Sequence, residues 1–232
     1  MDVMQLRRNL LMQQNQISCP YIRNGLVLWL DGINKGGETG KWIDLIGGKE
    51  FVQTSYGKIV SGDNYYQFTS ETLNGSNYGG FYRNATDISS NYKTDTIEIA
   101  FKRNSQGSIC SMFYGGDGIS FIIASSNTLS YNSNADRNKR YTLGLEYQIP
   151  LIVSINNDRA VRNGTSLTTT SNDYWSLQSD MTTIGFREVS TNHRPYYGKI
   201  YSIRIYNRLL TEAEMLQNQR ADNARFNFGL TI

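Results

Sequence analysis

The sequence predicts an all-β protein: a two-sheet antiparallel jelly-roll sandwich with a short α-helix near each end of the chain. Two observations predict this class. Apolar residues recur with a period of two, in short runs, along most of the chain. Turn-forming residues separate these runs, and the chain has 21 Gly against 3 Pro. The 232 residues contain no internal repeat or low-complexity linker, so residues 21–232 are expected to form one domain after an arm over residues 1–20.

The first predicted element is an amphipathic helix. Val3, Leu6 and Leu10 recur with helical spacing, and Pro20 later disfavours helical geometry at the residue before it. A helix this short is unstable alone and must pack on something. The sequence leaves two kinds of partner open for residues 1–14. One is another copy or a larger particle, and the other is the chain's own sandwich beside the C-terminal helix.

Short strands follow this segment. Residues 26–31 (LVLWLD) are apolar on both faces in the middle, which is typical of a buried central strand. In residues 96–103 (TIEIAFKR), apolar side chains alternate with Glu98 and Lys102, which therefore lie on the other face. Three more short strands are predicted between glycine-rich breaks: WIDL (42–45), EFVQT (50–54) and GKIV (57–60).

Two segments predict hairpins. Residues 109–124 are two strands joined by a Gly-Gly-Asp-Gly turn. Residues 150–167 reverse twice, at Asn157-Asp158 and at Asn163-Gly164, where a positive φ angle costs little. This spacing of strands and turns favours a sandwich.

The last strand passes directly into a helix. Residues 196–207 alternate as a strand, and the next segment contains Thr-x-x-Glu, the capping box of a helix, at Thr211 and Glu214. Leu210 and Met215 hold the positions of a hydrophobic staple. The helix is expected at about 211–223.

The segment GKIYSIRIYNRLLTEAEM (198–215) resembles the closing segment of laminin-G-like domains in the concanavalin A-like lectin/glucanase superfamily. Further segments are similar to the opening and later strands of that family: GLVLWLDG (25–32), WIDLIGG (42–48), VSINNDRAVRNG (153–164) and MTTIGF (181–186). The resemblance spans residues 25 to about 223. It implies a two-sheet jelly roll whose members bind sugars, proteins or cell surfaces, or in some branches cleave polysaccharides. Fold alone does not decide among these functions.

The resemblance also raises the question of a structural calcium ion. Members often hold one through acidic residues just after the Gly-x-Ile of the last strand, where this chain has Tyr201 and Ser202. Asp31 and Asp44, in the segments that match the family opening, could supply two carboxylates to a calcium shell completed by loop carbonyls. The alternative is that Asp31 caps a strand end and Asp44 makes an Asx turn. No other cofactor is expected.

The sequence predicts no catalytic residue. Polysaccharide cleavage in this superfamily uses Glu-x-Asp-x-x-Glu on one strand, because retention requires two carboxylates about 5 Å apart. No Glu of this chain starts that spacing. Asp95 and Glu98 are three residues apart on a strand and point to opposite faces, and His193 has no compact carboxylate cluster beside it.

Sugar binding without catalysis needs an aromatic ring and polar groups that contact hydroxyls. Two predicted loops, at 74–84 and 171–180, offer both. The candidate ligand contacts are Tyr78, Tyr82 and Arg83 in the first loop, and Asn172, Asp173, Tyr174 and Trp175 in the second. Tyr and Trp are also ordinary residues of sandwich cores and sheet surfaces, and Trp29 and Trp42 are assigned to the core.

Composition excludes several classes of partner. The net charge is +3 without a basic block, so nucleic acid is not expected as a partner. No run approaches the roughly 20 apolar residues of a membrane span. Cys19 and Cys110 are far apart and form no C-x-x-C motif, so neither a zinc site nor a redox motif is predicted. A disulfide between these two residues stays open.

These observations predict a non-enzymatic recognition or adhesion module for surface glycans. The chain is rich in Asn, Tyr, Ser and Gly, and its N-terminus lacks signal-peptide features, which is similar to bacteriophage fibre and capsid-decoration modules. The expected location is a virion or a cell surface, reached without a classical signal peptide. The alternatives are a purely structural assembly protein of a virion or surface layer and, disfavoured by the missing carboxylate motif, a polysaccharide-cleaving enzyme.

Overall fold

The computed structural model describes most of the chain with side chains and part of it as backbone alone. Side chains are described, Thr182 excepted, in residues 20–54, 59–69, 79–83, 95–104, 147–156, 158–167, 181–186 and 195–232. The backbone alone is described in residues 110–115, 119–124, 128–133 and 137–142. The predicted N-terminal helix lies outside the described residues.

Sixteen strands and one α-helix are found in the described residues. The strands of the amino-terminal half are β1 Leu26–Asp31, β2 Lys41–Ile43, β3 Glu50–Gln53, β4 Ile59–Ser61, β5 Tyr66–Thr69, β6 Phe81–Tyr82, β7 Thr96–Arg103 and β8 Cys110–Gly115. The remaining strands are β9 Ile119–Ala124, β10 Thr128–Ser133, β11 Arg137–Thr142, β12 Pro150–Asn156, β13 Ala160–Arg162, β14 Thr165–Leu167, β15 Met181–Ile184 and β16 Tyr197–Tyr206. The helix, α1, spans Glu212–Phe226.

The strands form two antiparallel sheets, which confirms the predicted all-β sandwich. The first sheet has the order β14-β13-β12-β7-β16-β5-β4, and β1 also pairs with β16. The second sheet has the order β11-β10-β9-β8-β15-β6-β3-β2. Strands distant in sequence therefore lie side by side, as the jelly-roll prediction requires.

The predicted strands and reversals are largely found. Residues 26–31 form β1, and β8 pairs with β9 as an antiparallel hairpin whose turn lies outside the described residues. Asn163 and Gly164 have φ angles of 45° and 83°, so the reversal between β13 and β14 uses the left-handed region as expected. The strand predicted at 42–45 instead covers Lys41–Ile43, because Asp44 turns the chain.

The core lies between the two sheets. The inner face of the first sheet contributes alternate residues of β7, and the second sheet contributes buried aromatic residues. Among the fully buried members are Leu30, Trp42, Phe51, Phe68, Phe81, Ile97, Phe101, Ile155, Ile184 and Ile203. Trp42 therefore lies in the core as predicted, and Trp29 is buried in a second cluster on the outer face of the first sheet.

Helix α1 begins with the predicted capping box. The Thr211 hydroxyl accepts from the Glu214 amide at 3.3 Å, and a Glu214 carboxylate oxygen accepts from the Thr211 amide at 2.9 Å. Leu210 and Met215 are buried in the same cluster, as expected of a staple. The helix continues past the predicted end to Phe226, because the chain reverses only at Asn227, which has a φ angle of 54°.

Helix α1 and the residues after it cover much of the outer face of the first sheet. Tyr21, Trp29, Tyr206 and Met215 are buried together there. Phe226 packs beside Tyr201, with Phe228, Leu230 and Ile232 partly buried against the same cluster. This packing explains why the chain ends in a strand followed by a capped helix, since the helix closes one face of the sandwich.

Candidate functional site

The covered face of the first sheet contains a buried ion network. The Arg204 guanidinium donates to Glu98 at 3.0 Å and to both carboxylate oxygens of Asp222 at 2.8 and 2.5 Å. Ser154 and Asn218 donate to Glu98 at 2.9 and 2.8 Å. All five side chains are buried, so both carboxylates are held between the sheet and the helix.

Burial and charge act together in this network. Two carboxylates surround one guanidinium. Burial raises the pKa of Glu98, and the neighbouring Asp222 carboxylate adds to the rise although Arg204 opposes it. Burial alone would lower the pKa of Arg204, but Asp222 and Glu98 outweigh this effect and raise it. This arrangement is a structural clamp between the sheet and the helix.

Asp44 has protein donors on both carboxylate oxygens. It accepts from the backbone amides of Trp29 at 2.8 Å, Ile46 at 3.0 Å and Gly47 at 2.8 Å. The contact with Ile46 is the Asx turn that the sequence offered as the alternative to a metal site. Burial raises the pKa of Asp44, and these three hydrogen bonds oppose the rise.

Asp31 also faces donors. Its carboxylate accepts from the Arg225 guanidinium and, at 3.2 Å, from the amide of Ile33. N–H groups and a guanidinium occupy the positions that a cation would need, so Asp31 and Asp44 do not fit a calcium site in this arrangement. No group of three or more His, Cys, Asp or Glu side chains that could hold a metal is found in the described part of the chain.

The outer face of the second sheet is different, because it exposes an aromatic side chain. On β6, Phe81 is fully buried, whereas Tyr82 is 43% exposed on the opposite face. Val52, which pairs with Tyr82 on the neighbouring strand, is 36% exposed. We call the surface formed by Tyr82, Val52 and Lys41, the partner of Val52, the open face.

The pairing register extends the row that contains Tyr82 across the second sheet. Tyr82 pairs with Thr183, which pairs with Tyr114. The same row then passes through Ser120, Asn132 and Asn138 on the following strands. Residue types that can contact sugars recur in register on these strands. Thr183 is fully buried, however, so Tyr82 is the member of the row whose described side chain is exposed. This row could not be predicted from the sequence, because each strand contributes only one of its members and local patterns do not determine the order of strands.

Only two of the candidate ligand contacts, Tyr82 and Arg83, lie within the described residues. Tyr82 lies on the open face, whereas its neighbour Arg83 is 6% exposed, since alternation turns it to the other side of β6. Tyr78 and the second candidate group lie outside the described residues; that group is Asn172, Asp173, Tyr174 and Trp175. Tyr82 is therefore the candidate that the described structure leaves accessible.

A groove runs along one side of α1. Its volume is about 900 Å³, and its lining includes Pro20, Tyr21, Ala213, Gln217 and Ala224. Pro20 is the first residue that the structure describes, and it lines this groove. In the described residues, no helix combines the length and apolar character that a membrane span requires.

Solved structures share this fold. The sialidase of Trypanosoma rangeli matches with a TM-score of 0.58 and 15% identity over 86% of this chain and 33% of the sialidase chain. A mutant of that sialidase displaying trans-sialidase activity also matches, with a TM-score of 0.58 and 13% identity over the same shares. This chain therefore spans about a third of the sialidase chains that it matches.

A second kind of match covers a whole protein module. The carbohydrate-binding module CBM40 of the Ruminococcus gnavus IT-sialidase, bound to α2,3-sialyllactose, matches with a TM-score of 0.51. Identity is 14% over 72% of this chain and 98% of the module. No protein-family model matches the sequence, and no curated protein matches it. These matches show the fold alone: a β-sandwich shared with sialidases and with a carbohydrate-binding module.

Proposed function

We propose that this chain is a non-enzymatic carbohydrate-recognition module with a laminin-G-like jelly roll, acting in adhesion to surface glycans. The observation that carries the proposal is the match over 98% of a carbohydrate-binding module, compared with a third of the sialidase chains. The part of this chain that folds as a sandwich thus corresponds in extent to a complete binding module.

The arrangement of carboxylates supports binding without cleavage. Glycoside hydrolysis needs two carboxyl groups that flank the scissile bond. Glu98 and Asp222 are buried in the ion network, Asp44 is held by backbone amides, and Glu214 is hydrogen-bonded to Arg208 and Thr211. These four carboxylates are thus engaged in holding the fold together.

The open face is the proposed binding surface. The half-exposed ring of Tyr82 offers a flat apolar surface for a sugar ring. The exposed side chain of Val52 extends this apolar surface. The loop that contains Trp175 and Tyr174, with Asn172 and Asp173, is proposed as a further wall of the site, together with Tyr78. A calcium ion is not part of the proposal.

Isothermal titration calorimetry with a glycan selected on an array tests this proposal. Tyr82→Ala and Trp175→Ala are each expected to weaken binding about fivefold, since an aromatic contact contributes about 1 kcal/mol. Leu209→Ala is the matched control, because Leu209 is exposed in the segment before α1, outside the proposed surface, and it is expected to bind like the wild type. Unchanged affinity in both aromatic variants would contradict the proposed binding surface.

The expected location remains a proposal. A glycan-binding module acts where glycans are displayed, so we place it at the surface of a virion, as a fibre or capsid-decoration module, or at a cell surface. Immunogold labelling of purified particles and of intact cells distinguishes the two locations.

A second candidate function is assembly, and the groove beside α1 favours it. The segment 1–14, predicted to be an amphipathic helix, ends six residues before Pro20 in the sequence, and Pro20 lines the groove. We propose that this segment docks in the groove of a second copy. Removal of residues 1–14 should then convert a dimer into a monomer in a solution mass measurement. A full-length chain that is already monomeric would show that the segment does not link two copies.

A further inference from the structure

Two lysines lie side by side on the part of the first sheet that α1 leaves uncovered. Lys199 on β16 and Lys102 on β7 are register partners, and both are half-buried. Directly opposite side chains in an antiparallel pair have Cβ atoms about 5 Å apart. The two ammonium groups therefore extend from adjacent points on the same face of the sheet.

Neither lysine has an acidic partner among the described residues. Lys41 on the second sheet, in contrast, forms ion pairs with Glu38 at 2.6 Å and Glu50 at 2.9 Å. Like charges directly opposite each other destabilise a sheet. The Lys102–Lys199 pair thus breaks a local rule of sheet stability, and such violations in natural proteins concentrate at functional sites.

The two strands that contain these lysines approach each other closely at this point. The Tyr196 hydroxyl lies 3.0 Å from the carbonyl oxygen of Lys102 and 3.3 Å from that of Lys199. A Cβ atom at Gly198 would lie 2.3 Å from the Lys102 carbonyl oxygen, so only glycine allows this approach of the two strands. The backbone positions of Lys102 and Lys199 relative to each other are therefore fixed.

The surroundings of the two lysines can contact a sugar. The Lys199 ammonium lies 3.8 Å from the centroid of the Tyr65 ring. Gln67 pairs with Lys199 on the other side, and Val60, the partner of Gln67, is 50% exposed. A ring, an amide and two positive charges thus lie on one continuous surface. We call the surface formed by Lys102, Lys199, Gln67 and Tyr65 the basic face.

We propose that the basic face binds the anionic group, a carboxylate or a sulfate, of an acidic sugar. An anion between the two ammonium groups would offset their mutual repulsion, and the Gln67 amide and Tyr65 ring would contact the sugar. The proposal rests on the proposed carbohydrate binding. It adds a second site and the charge of its ligand, on the sheet opposite the open face.

Calorimetry with three related probes tests the basic face. The probes are lactose, α2,3-sialyllactose and sulfated lactose, which distinguish a neutral sugar, a carboxylate and a sulfate. The wild type is expected to bind at least one acidic probe about tenfold more tightly than lactose, with a preference that weakens at high salt. The Lys102→Gln/Lys199→Gln double variant is expected to lose this preference.

Matched variants separate charge from folding. Arg220→Gln removes one positive charge from the exposed side of α1, outside the open face and the basic face, and is expected to keep the preference. Lys199→Arg keeps the charge on the basic face and is also expected to keep it. The double glutamine variant should melt at the same temperature as the wild type or higher, because it removes like-charge repulsion.

The outcomes distinguish this proposal from the proposed function. If the wild type binds acidic probes no better than lactose, or if the double variant keeps the preference, the basic face is not an anion site. If neutral glycans still bind in a Tyr82-dependent manner, the proposed function stands without it. If no glycan binds on an array, both proposals fail.

Discussion

Arg204 joins the sheet to the helix through a single guanidinium. Alternation along β7 places Glu98 on the face away from Phe101, as the sequence predicts. The burial of Glu98 beneath α1 could not be predicted, because its partners Arg204 and Asn218 are distant in sequence. Local sequence patterns thus predict the sheet face on which a side chain lies, but not what covers that face.

Replacing Arg204 tests the role of the buried network. Arg204→Met leaves two buried carboxylates without a counter-charge, so the free energy of unfolding should fall by about 3–5 kcal/mol. Urea denaturation measures the change. The control is Arg220→Met on the exposed side of α1, with an expected change within about 0.5 kcal/mol. A loss of less than about 1 kcal/mol for Arg204→Met would contradict the clamp.

Among elements, α1 was the most fully predicted from sequence. Its capping box and staple involve residues at most a few positions apart, so a local pattern contains all the information. Its contacts with β12 and β16 join distant residues and were not predicted, and neither was the covering of the first sheet by the residues that follow it.

The cap of α1 should contribute measurably to stability. Thr211→Ala removes the hydroxyl that accepts from the Glu214 amide, and the expected loss is about 1 kcal/mol in urea denaturation. Thr211→Ser keeps an accepting hydroxyl and should lose much less. Equal losses in the two variants would mean that the hydroxyl does not act as a cap.

Glu214 makes a pH-dependent contribution to the free energy of unfolding through the cap of α1. Hydrogen bonds from Arg208, together with those from Thr211, lower the pKa of Glu214 from 4.5 to about 2, although burial opposes the shift. Between these values the unfolded chain binds more protons than the folded one, so stability rises with pH. This contribution is complete above about pH 4.5 and is lost as pH falls toward about 2.

Glu214→Gln should therefore flatten the acid side of the stability profile. The variant and the wild type are compared by urea denaturation at several pH values across this window. The difference in unfolding free energy should shrink as the pH falls. A difference that stays constant across the window would show that ionised Glu214 contributes nothing to the cap.

The tail after α1 should stabilise the first sheet. The Phe228 ring lies 4.8 Å from the Tyr201 ring and 5.6 Å from the Phe226 ring. Phe228→Ala should cost about 1–2 kcal/mol, less than a fully buried Phe, because the ring is only half-buried. Leu209→Ala, at an exposed position before α1, is the control in the same thermal unfolding assay. Equal melting temperatures for the two variants would contradict the packing role of the tail.

For the whole molecule, the sequence predicted the fold class correctly, whereas the ligand contacts that it suggested stay a prediction. Strands such as β1, β7 and β16 and the reversal at Asn163 follow from short-range patterns. The open face around Tyr82 depends on the order of strands in the second sheet, which is set by pairing between distant segments. The Lys102–Lys199 pair was missed for the same reason, since its members belong to strands far apart in sequence.

The open face is proposed to bind a glycan and to leave it intact. Saturation-transfer NMR of an array-selected glycan with the protein, followed over a day, tests both parts in one sample. We expect transfer to the sugar protons in the wild type, weaker transfer in Tyr82→Ala, and an unchanged glycan spectrum at the end. Absence of transfer from the wild type, or the appearance of cleavage products, would contradict the claim.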